Sequence, residues 1–198
     1  MSVHVVSSIE APDFGSMVVR VGDLNGDGCD DIAIGAPGYN VGSVLDTGRA
    51  YVFYGCQATA SGLNAVPDWE YSFLQEDANT GYDVSGAGDT NQDGYGDLLV
   101  SVHLFDDEQA NEGAVLAFFG SAGGLALQPG WQAEGNKNET YFGYALDGAG
   151  DTNGDGLDDA LIGSPMFRYE EIITGAAFVY FGTPHATYYY NFLPFIRR

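Results

Sequence analysis

The sequence predicts an all-β protein built as consecutive repeats of one small strand unit, and three observations predict it. An acidic nine-residue loop recurs three times: Asp23-Leu24-Asn25-Gly26-Asp27-Gly28-Cys29-Asp30-Asp31, Asp89-Thr90-Asn91-Gln92-Asp93-Gly94-Tyr95-Gly96-Asp97 and Asp151-Thr152-Asn153-Gly154-Asp155-Gly156-Leu157-Asp158-Asp159. Its copies start 66 and then 62 residues apart, a period that marks one supersecondary unit per repeat. Short apolar runs bounded by glycine flank each loop in matching register. Across 198 residues the chain carries 29 glycines and 45% hydrophobic residues, which describes a folded protein rich in strands and turns, not a disordered one.

The strands follow in order. Val3–Ile9 is rich in β-branched residues and reads as a strand, ended by Ala11-Pro12-Asp13. Phe14-Gly15 opens the first repeat. A strand over Ser16–Val21 leads into the first acidic loop, Asp31–Gly35 leads out of it, and Gly48–Gly55 is a third strand of β-branched and aromatic residues. The second repeat restates this with Gly81–Gly88, Asp97–Val102 and Gly113–Gly120, and the third with Phe142–Gly150, Asp159–Gly163 and Gly175–Gly182. Gly15, Gly81 and Gly143 each stand eight residues before the first loop aspartate. A fourth element lies between repeats: Gly62-Leu63 with Pro67 and Trp69 matches Gly124-Leu125 with Pro129 and Trp131. Each tryptophan precedes the next repeat's glycine by 12 residues, and 12 residues before Gly15 is Val3. Residues 3–9 therefore read as the fourth strand of a preceding or closing unit. The tail from Thr183 lacks the tryptophan element and offers only the aromatic run Tyr188–Phe192; Tyr188–Phe195 is the alternative source of a last fourth strand. The chain divides as one array over about 10–74, 75–136 and 137–198.

The loops carry the chemistry. Oxygen-bearing side chains fall at positions one, three, five and nine: Asp23, Asn25, Asp27 and Asp31; Asp89, Asn91, Asp93 and Asp97; Asp151, Asn153, Asp155 and Asp159. Cys29, Tyr95 and Leu157 at position seven would offer only a main-chain carbonyl. Calcium is a hard cation that takes six to eight oxygens, and alternate positions of a tight loop converge on one point. A turn without metal leaves the crowding unexplained, because carboxylates brought together repel unless a cation compensates. The expected cofactor is Ca²⁺, at about three sites. A helix–loop–helix calcium hand shares the opening residues but usually carries glutamate at position twelve, where this chain has Ile34, Val100 and Ile162 in strand-like runs.

Charge narrows the partners. The formal net charge is −22, with Lys137 the one lysine, which disfavours nucleic acid and anionic membrane surfaces. No apolar run is long enough to span a bilayer, and the first 15 residues lack the basic and apolar regions of a signal peptide. Calcium sites of modest affinity suit an extracellular setting.

Phe-Gly, then D-x-N-x-D-G-x-x-D, then Gly-Ala-Pro resembles the FG-GAP repeat of integrin α subunits and of many bacterial extracellular proteins. The matching residues are Phe14-Gly15 with Gly35-Ala36-Pro37, and Phe142-Gly143 with Gly163-Ser164-Pro165. The second repeat departs, with Thr80-Gly81 and Ser101-Val102-His103. The linker Phe119–Trp131 is more similar to the bacterial branch. The resemblance implies three four-stranded antiparallel blades of β-propeller type, with calcium between the first and second strands of each. Such rings usually have seven blades, so the array is incomplete or completed by oligomerisation. In an antiparallel blade Cys29 and Cys56 lie in turns at the same end; a disulfide is geometrically allowed there, with two partly buried thiols as the alternative.

At the opposite end Tyr39, Phe105 and Phe167 recur, either as an aromatic patch for a protein or sugar or as packing against neighbouring blades. Asp106, Asp107, Glu108, Glu170 and Glu171 beside them read as a solvated face. Trp69 and Trp131 read as core. His4, His103 and His185 stand in unrelated registers, and no catalytic arrangement is evident. The resemblance implies a non-enzymatic, calcium-binding surface or secreted module for recognition or adhesion, with a protein or glycan ligand. The alternatives are an accessory propeller of a secreted hydrolase, since a glycosylphosphatidylinositol-specific phospholipase carries such repeats, and a sugar-binding lectin.

Overall fold

A computed structural model describes residues 11–57, 62–170, 172–184 and 189–190. Among these every regular element is a strand. The first blade has β1 (Met17–Gly22), β2 (Asp31–Ala36), β3 (Arg49–Phe53) and β4 (Trp69–Tyr71), antiparallel and side by side in chain order. The second repeats it with β5 (Thr80–Gly88), β6 (Asp97–Val102), β7 (Ala114–Phe118) and β8 (Trp131–Glu134). The third has β9 (Ala145–Gly150), β10 (Asp159–Ser164) and β13 (Ala176–Tyr180), with a short hairpin, β11 (Arg168–Tyr169) and β12 (Ile172–Ile173), inserted before β13. These are the all-β, blade-type sheets that the repeats imply. The expected strand over residues 3–9 lies outside the described residues. Of the tail, Tyr189–Tyr190 (β14) runs parallel to Trp131–Gln132 of β8, on the second sheet and not beside β13.

Packing explains why the middle strands read as unbroken apolar runs. All six residues of β6 and all five of β7 are buried, because blades one and three cover the two faces of blade two. Side chains of a strand alternate between faces. Leu98 and Val100 join Val21, Leu24, Ala33, Val52 and Trp69 in the core between blades one and two. Leu99 points the other way and joins Ala87, Val115, Phe142, Ile162 and Phe178 in the second core. On blade three the outward face is uncovered: Leu161, in the register of Leu99, is 36% exposed against 1%, and Val179 is 46% exposed. Trp69 is buried as expected. Its ring packs on Phe118, and its Nε1 donates to the Ala126 carbonyl at 3.0 Å, so it ties blade one to the linker of blade two. Trp131, half-buried, packs edge-on against Tyr180.

The two departures of the second repeat are accommodated by different side chains on the same frame. In blades one and three the Phe-Gly corner closes by Gly15 N–H to Gly35 O and Gly143 N–H to Gly163 O, both 3.0 Å, with Phe14 packed on Tyr51 and Phe142 on Phe178. In blade two Thr80 is buried and its hydroxyl accepts the Phe73 N–H at 3.0 Å. His103, where the others have proline, lies flat on Tyr82 with centroids 4.0 Å apart, stacks on Tyr141 at 5.3 Å and meets Tyr144 edge-on. It is buried, and its Nδ1 has no hydrogen-bond partner among the described residues.

Burial pushes the His103 imidazole down to about 4 from the usual 6.5. Above pH 6.5 the ring is neutral in both folded and unfolded chains. Between 6.5 and about 4 the unfolded chain takes up a proton that the folded chain refuses, so this group's contribution is lost as pH falls through that window, by about 2–3 kcal/mol. Asp97, which burial pushes up to about 6, works in the opposite sense over the same range, so a pH profile of the parent alone does not isolate the histidine. The expected result is that His103→Phe gains stability relative to the parent as pH drops from 7 to 4.5, in paired urea unfolding curves. A pH-independent difference between the two proteins would contradict it.

Candidate metal loops

Each acidic loop joins the first and second strands of its blade, at the end where β1, β5 and β9 finish in glycine. Gly22, Gly88 and Gly150 there have φ of +81°, +75° and +65°, a left-handed turn that L side chains rarely adopt and that swings the chain off the sheet. The pairing register slips at this point in all three blades.

Positions one, three and five are drawn together by one hydrogen-bond pattern. The position-one carboxylate gathers main-chain N–H groups: Asp23 accepts from Gly26, Asp27 and Gly28 at 2.7, 3.2 and 2.9 Å, and Asp151 from Gly154, Asp155 and Gly156 at 2.7, 3.1 and 2.9 Å. Asp89 accepts from Asp93 and Gly94 at 3.1 and 2.9 Å; Gln92 replaces glycine at position four of this loop, with φ +64°. The position-three amide both accepts from and donates to position five. Asn25, Asn91 and Asn153 take the N–H of Asp27, Asp93 and Asp155 at 3.0, 2.9 and 2.8 Å, and their amide nitrogens donate back to those carboxylates. The other oxygen of position five accepts from the main chain of position seven: Cys29, Tyr95 and Leu157, at 2.9, 3.0 and 3.0 Å.

Position nine stands apart from this set. Asp31, Asp97 and Asp159 are fully buried at the base of the loops. One oxygen accepts the N–H of position two: Leu24 at 2.8 Å, Thr90 and Thr152 at 2.9 Å, the threonines adding their hydroxyls. The other accepts the N–H of the glycine that closes the third strand: Gly55 at 2.8 Å, Gly120 and Gly182 at 3.0 Å. The last aspartate is thus a brace between loop and blade, a role the loop spacing alone does not reveal. The sign of it in the sequence is the invariant glycine after each aromatic third strand.

The donor set suits a hard cation. Burial raises the Asp31 carboxyl, and the Asp27 and Asp23 charges raise it further, so the three carboxylates of this loop share one field. Burial likewise lifts Asp97 to about 6 against three hydrogen bonds, with Asp93 adding repulsion. Asp151 moves the other way, held low by the Gly156 N–H and its neighbours. Nearly all donors around these groups are neutral amides and hydroxyls; Arg20, the basic side chain beside loop one, reaches only the exposed Asp30, at 2.9 Å. The sole group of three ligand atoms from His, Cys, Asp or Glu within 4.8 Å of one another, among the described residues, is Asp27 with Cys29 and Cys56. Those sulfurs are bonded to each other, so that group is not a thiolate site.

The Cys29–Cys56 disulfide, with Cα atoms 5.8 Å apart, answers the question left open by the sequence. It pins position seven of loop one to the turn after β3. The aromatic residues at the opposite end resolve as packing. Phe105 is buried on Phe73, and Phe167 is buried on Phe178 beneath the Lys137 ammonium. Tyr39 is half-buried under the Arg49 guanidinium.

Comparisons with known proteins agree with this architecture. Residues 17–53 match the FG-GAP repeat family model. The chain is 29% identical to integrin alpha-5 of Xenopus laevis over 74% of its length, and 32% identical to integrin alpha-PS5 of Drosophila melanogaster over 82%. It is also 32% identical over 78% of its length to phosphatidylinositol-glycan-specific phospholipase D of Rattus norvegicus. It spans 14%, 16% and 18% of those three proteins. With the blade topology, the Phe-Gly corners and these matches together, the chain belongs to the FG-GAP repeat proteins as an integrin α-like repeat domain.

Proposed function

We propose that the chain is a calcium-stabilised, non-catalytic recognition module of an extracellular or cell-surface protein. The observation that carries this is the threefold recurrence of one loop geometry in which side-chain oxygens of positions one, three and five crowd together above a buried carboxylate. Calcium bound there by positions one, three and five, the position-seven carbonyl and the free lone pairs of position nine would neutralise each loop. The ion's part is to fix the loop against the blade. Support for an oxidising, extracellular setting comes from the disulfide and from the likeness to integrin α subunits. No helix of the described residues is long and apolar enough to cross a membrane. The ligand is a protein or glycan, and the uncovered face of blade three (Leu161, Val179 and Phe181) is where a further blade, from the rest of the protein or from a second copy, would seat.

The likeness to a phosphatidylinositol-glycan-specific phospholipase D favours one second reading, an accessory propeller of a secreted hydrolase. A catalytic domain in another part of the protein would then carry the chemistry.

Calcium titration by calorimetry is expected to find about three ions per chain, and at a hundredfold excess over Kd each independent site adds about 2.7 kcal/mol of stability. EDTA should lower the melting temperature accordingly, and Asp155→Ala should remove one ion. No binding heat and a melt indifferent to EDTA would sink the calcium reading.

A further inference from the structure

The loops are not isolated from one another. The N–H of Gly96, at position eight of loop two, donates to the carbonyl of Asp23, at position one of loop one, at 2.9 Å. The N–H of Asp158, at position eight of loop three, donates to the carbonyl of Asp89, at position one of loop two, at 3.2 Å. A second bond follows in each case. Ser121 N–H reaches Leu24 O at 3.2 Å, and Thr183 N–H reaches Thr90 O at 2.9 Å. Each blade therefore staples the first two residues of the preceding loop, and those residues organise it. Position one collects the inner N–H groups, and position two is gripped by the buried position-nine aspartate.

Each joint carries a further contact. Between loops one and two the Tyr95 ring lies over Gly26, so close that a Cβ there would stand 2.6 Å from it. Between loops two and three the Asp158 carboxylate accepts the Asp89 N–H at 2.9 Å. Asp158 thus holds both main-chain polar groups of the residue that opens loop two. Its counterpart in loop one, Asp30, is exposed and pairs with Arg20 instead.

We propose that the three loops bind cations as a coupled row, each loop ordering the one before it, with Asp158 the positioning residue that links loops two and three. The proposal rests on the calcium reading above. Binding that orders loop three fixes Asp158, and through it the backbone of Asp89, so loop two reaches its bound geometry with less left to order. The coupling is reciprocal, as linkage requires.

The test is calcium titration of the intact chain, with amide hydrogen exchange read separately over each loop. In Asp155→Ala, which empties loop three, loop two is expected to need about tenfold more calcium for protection, while loop one, one joint further away, shifts by less. Asp158→Ala should give the same loss at loop two, and Asp158→Asn, which keeps an oxygen for the Asp89 N–H, should restore most of it. An unchanged calcium requirement at loop two in both Asp155→Ala and Asp158→Ala overturns the coupling and leaves calcium binding standing. Absence of calcium-dependent protection in the parent overturns both. Equal loss in Asp158→Ala and Asp158→Asn refutes positioning through the hydrogen bond.

Discussion

Replacing Asp97 with alanine is expected to lower the unfolding free energy by about 3–5 kcal/mol even when all metal is chelated. Asp97 is fully buried and accepts from the Thr90 N–H, the Thr90 hydroxyl and the Gly120 N–H. Removing it orphans those donors inside the blade, and each buried unsatisfied group costs about 1–3 kcal/mol. Asp93, four residues earlier, offers the informative contrast. It is exposed, and although Asn91 is buried, the Asn91 amide oxygen still accepts the Asp93 main-chain N–H when the carboxylate is gone, while the Tyr95 N–H belongs to a half-buried residue. Asp93→Ala should change stability in EDTA by less than about 1 kcal/mol and act only on the calcium-loaded protein. The brace also titrates. Because burial lifts Asp97 to about 6, above its unfolded value, the stability it contributes is complete below the ordinary aspartate range and is lost as pH rises through about 6. The deficit of Asp97→Ala should therefore be larger at pH 5 than at pH 8. Urea unfolding in EDTA at the two pH values decides it. Equal losses for Asp93→Ala and Asp97→Ala in EDTA would mean that position nine contributes no more to the metal-free fold than position five and that no brace exists.

That distinction shows where sequence reading stops. The nine-residue loops and the glycine-bounded strands are local patterns that place nine of the described strands to within a few residues, and the tryptophan elements end where β4 and β8 begin. Position nine reads in the sequence only as an acidic ligand; its added bracing role is hidden because its partners at Gly55, Gly120 and Gly182 lie more than twenty residues away. The staples between loops are longer-range still and involve only main-chain groups, which leave no trace in residue identity. The Arg168–Tyr169 and Ile172–Ile173 hairpin sits in an acidic stretch that reads as a loop. The second repeat lacks Phe-Gly and Gly-Ala-Pro, and Thr80 and the His103–Tyr82 stack fill the same corner with polar and aromatic groups. Phe105 and Phe167 had two readings because a recurring aromatic serves a ligand or a core equally well, and only burial separates them.

Blade-to-blade packing makes the second large prediction. Gly48 and Gly113, the glycines that open the third strands of blades one and two, lie against the main chain of the following blade. A Cβ on Gly48 would stand 2.2 Å from Thr80 N and 2.3 Å from Thr80 O; on Gly113 it would stand 2.3 Å from Phe142 O and 2.7 Å from Phe142 N. Those contacts flank bonds that join the blades, Thr80 N–H to Thr47 O at 2.9 Å and Phe142 N–H to Glu112 O at 3.0 Å. Backbone cannot swing aside as a side chain can, so alanine must push the blades apart. Both glycines also have positive φ, +71° and +76°, which alone disfavours alanine by about 1–2 kcal/mol. Strain of overpacking adds about 1–3 kcal/mol, for a total of about 2–5 kcal/mol at either position. Gly175 is the equivalent residue of blade three, with φ +64°, but its nearest neighbour is Pro165 O at 3.2 Å, within its own blade. Gly175→Ala should therefore cost only the backbone share, about 1–2 kcal/mol. Urea unfolding of the three variants measures the difference directly. If the protein associates so that another blade covers the third, Gly175→Ala should become as harmful as the other two at concentrations where light scattering shows the assembly, since the glycine would then be needed for the same close approach.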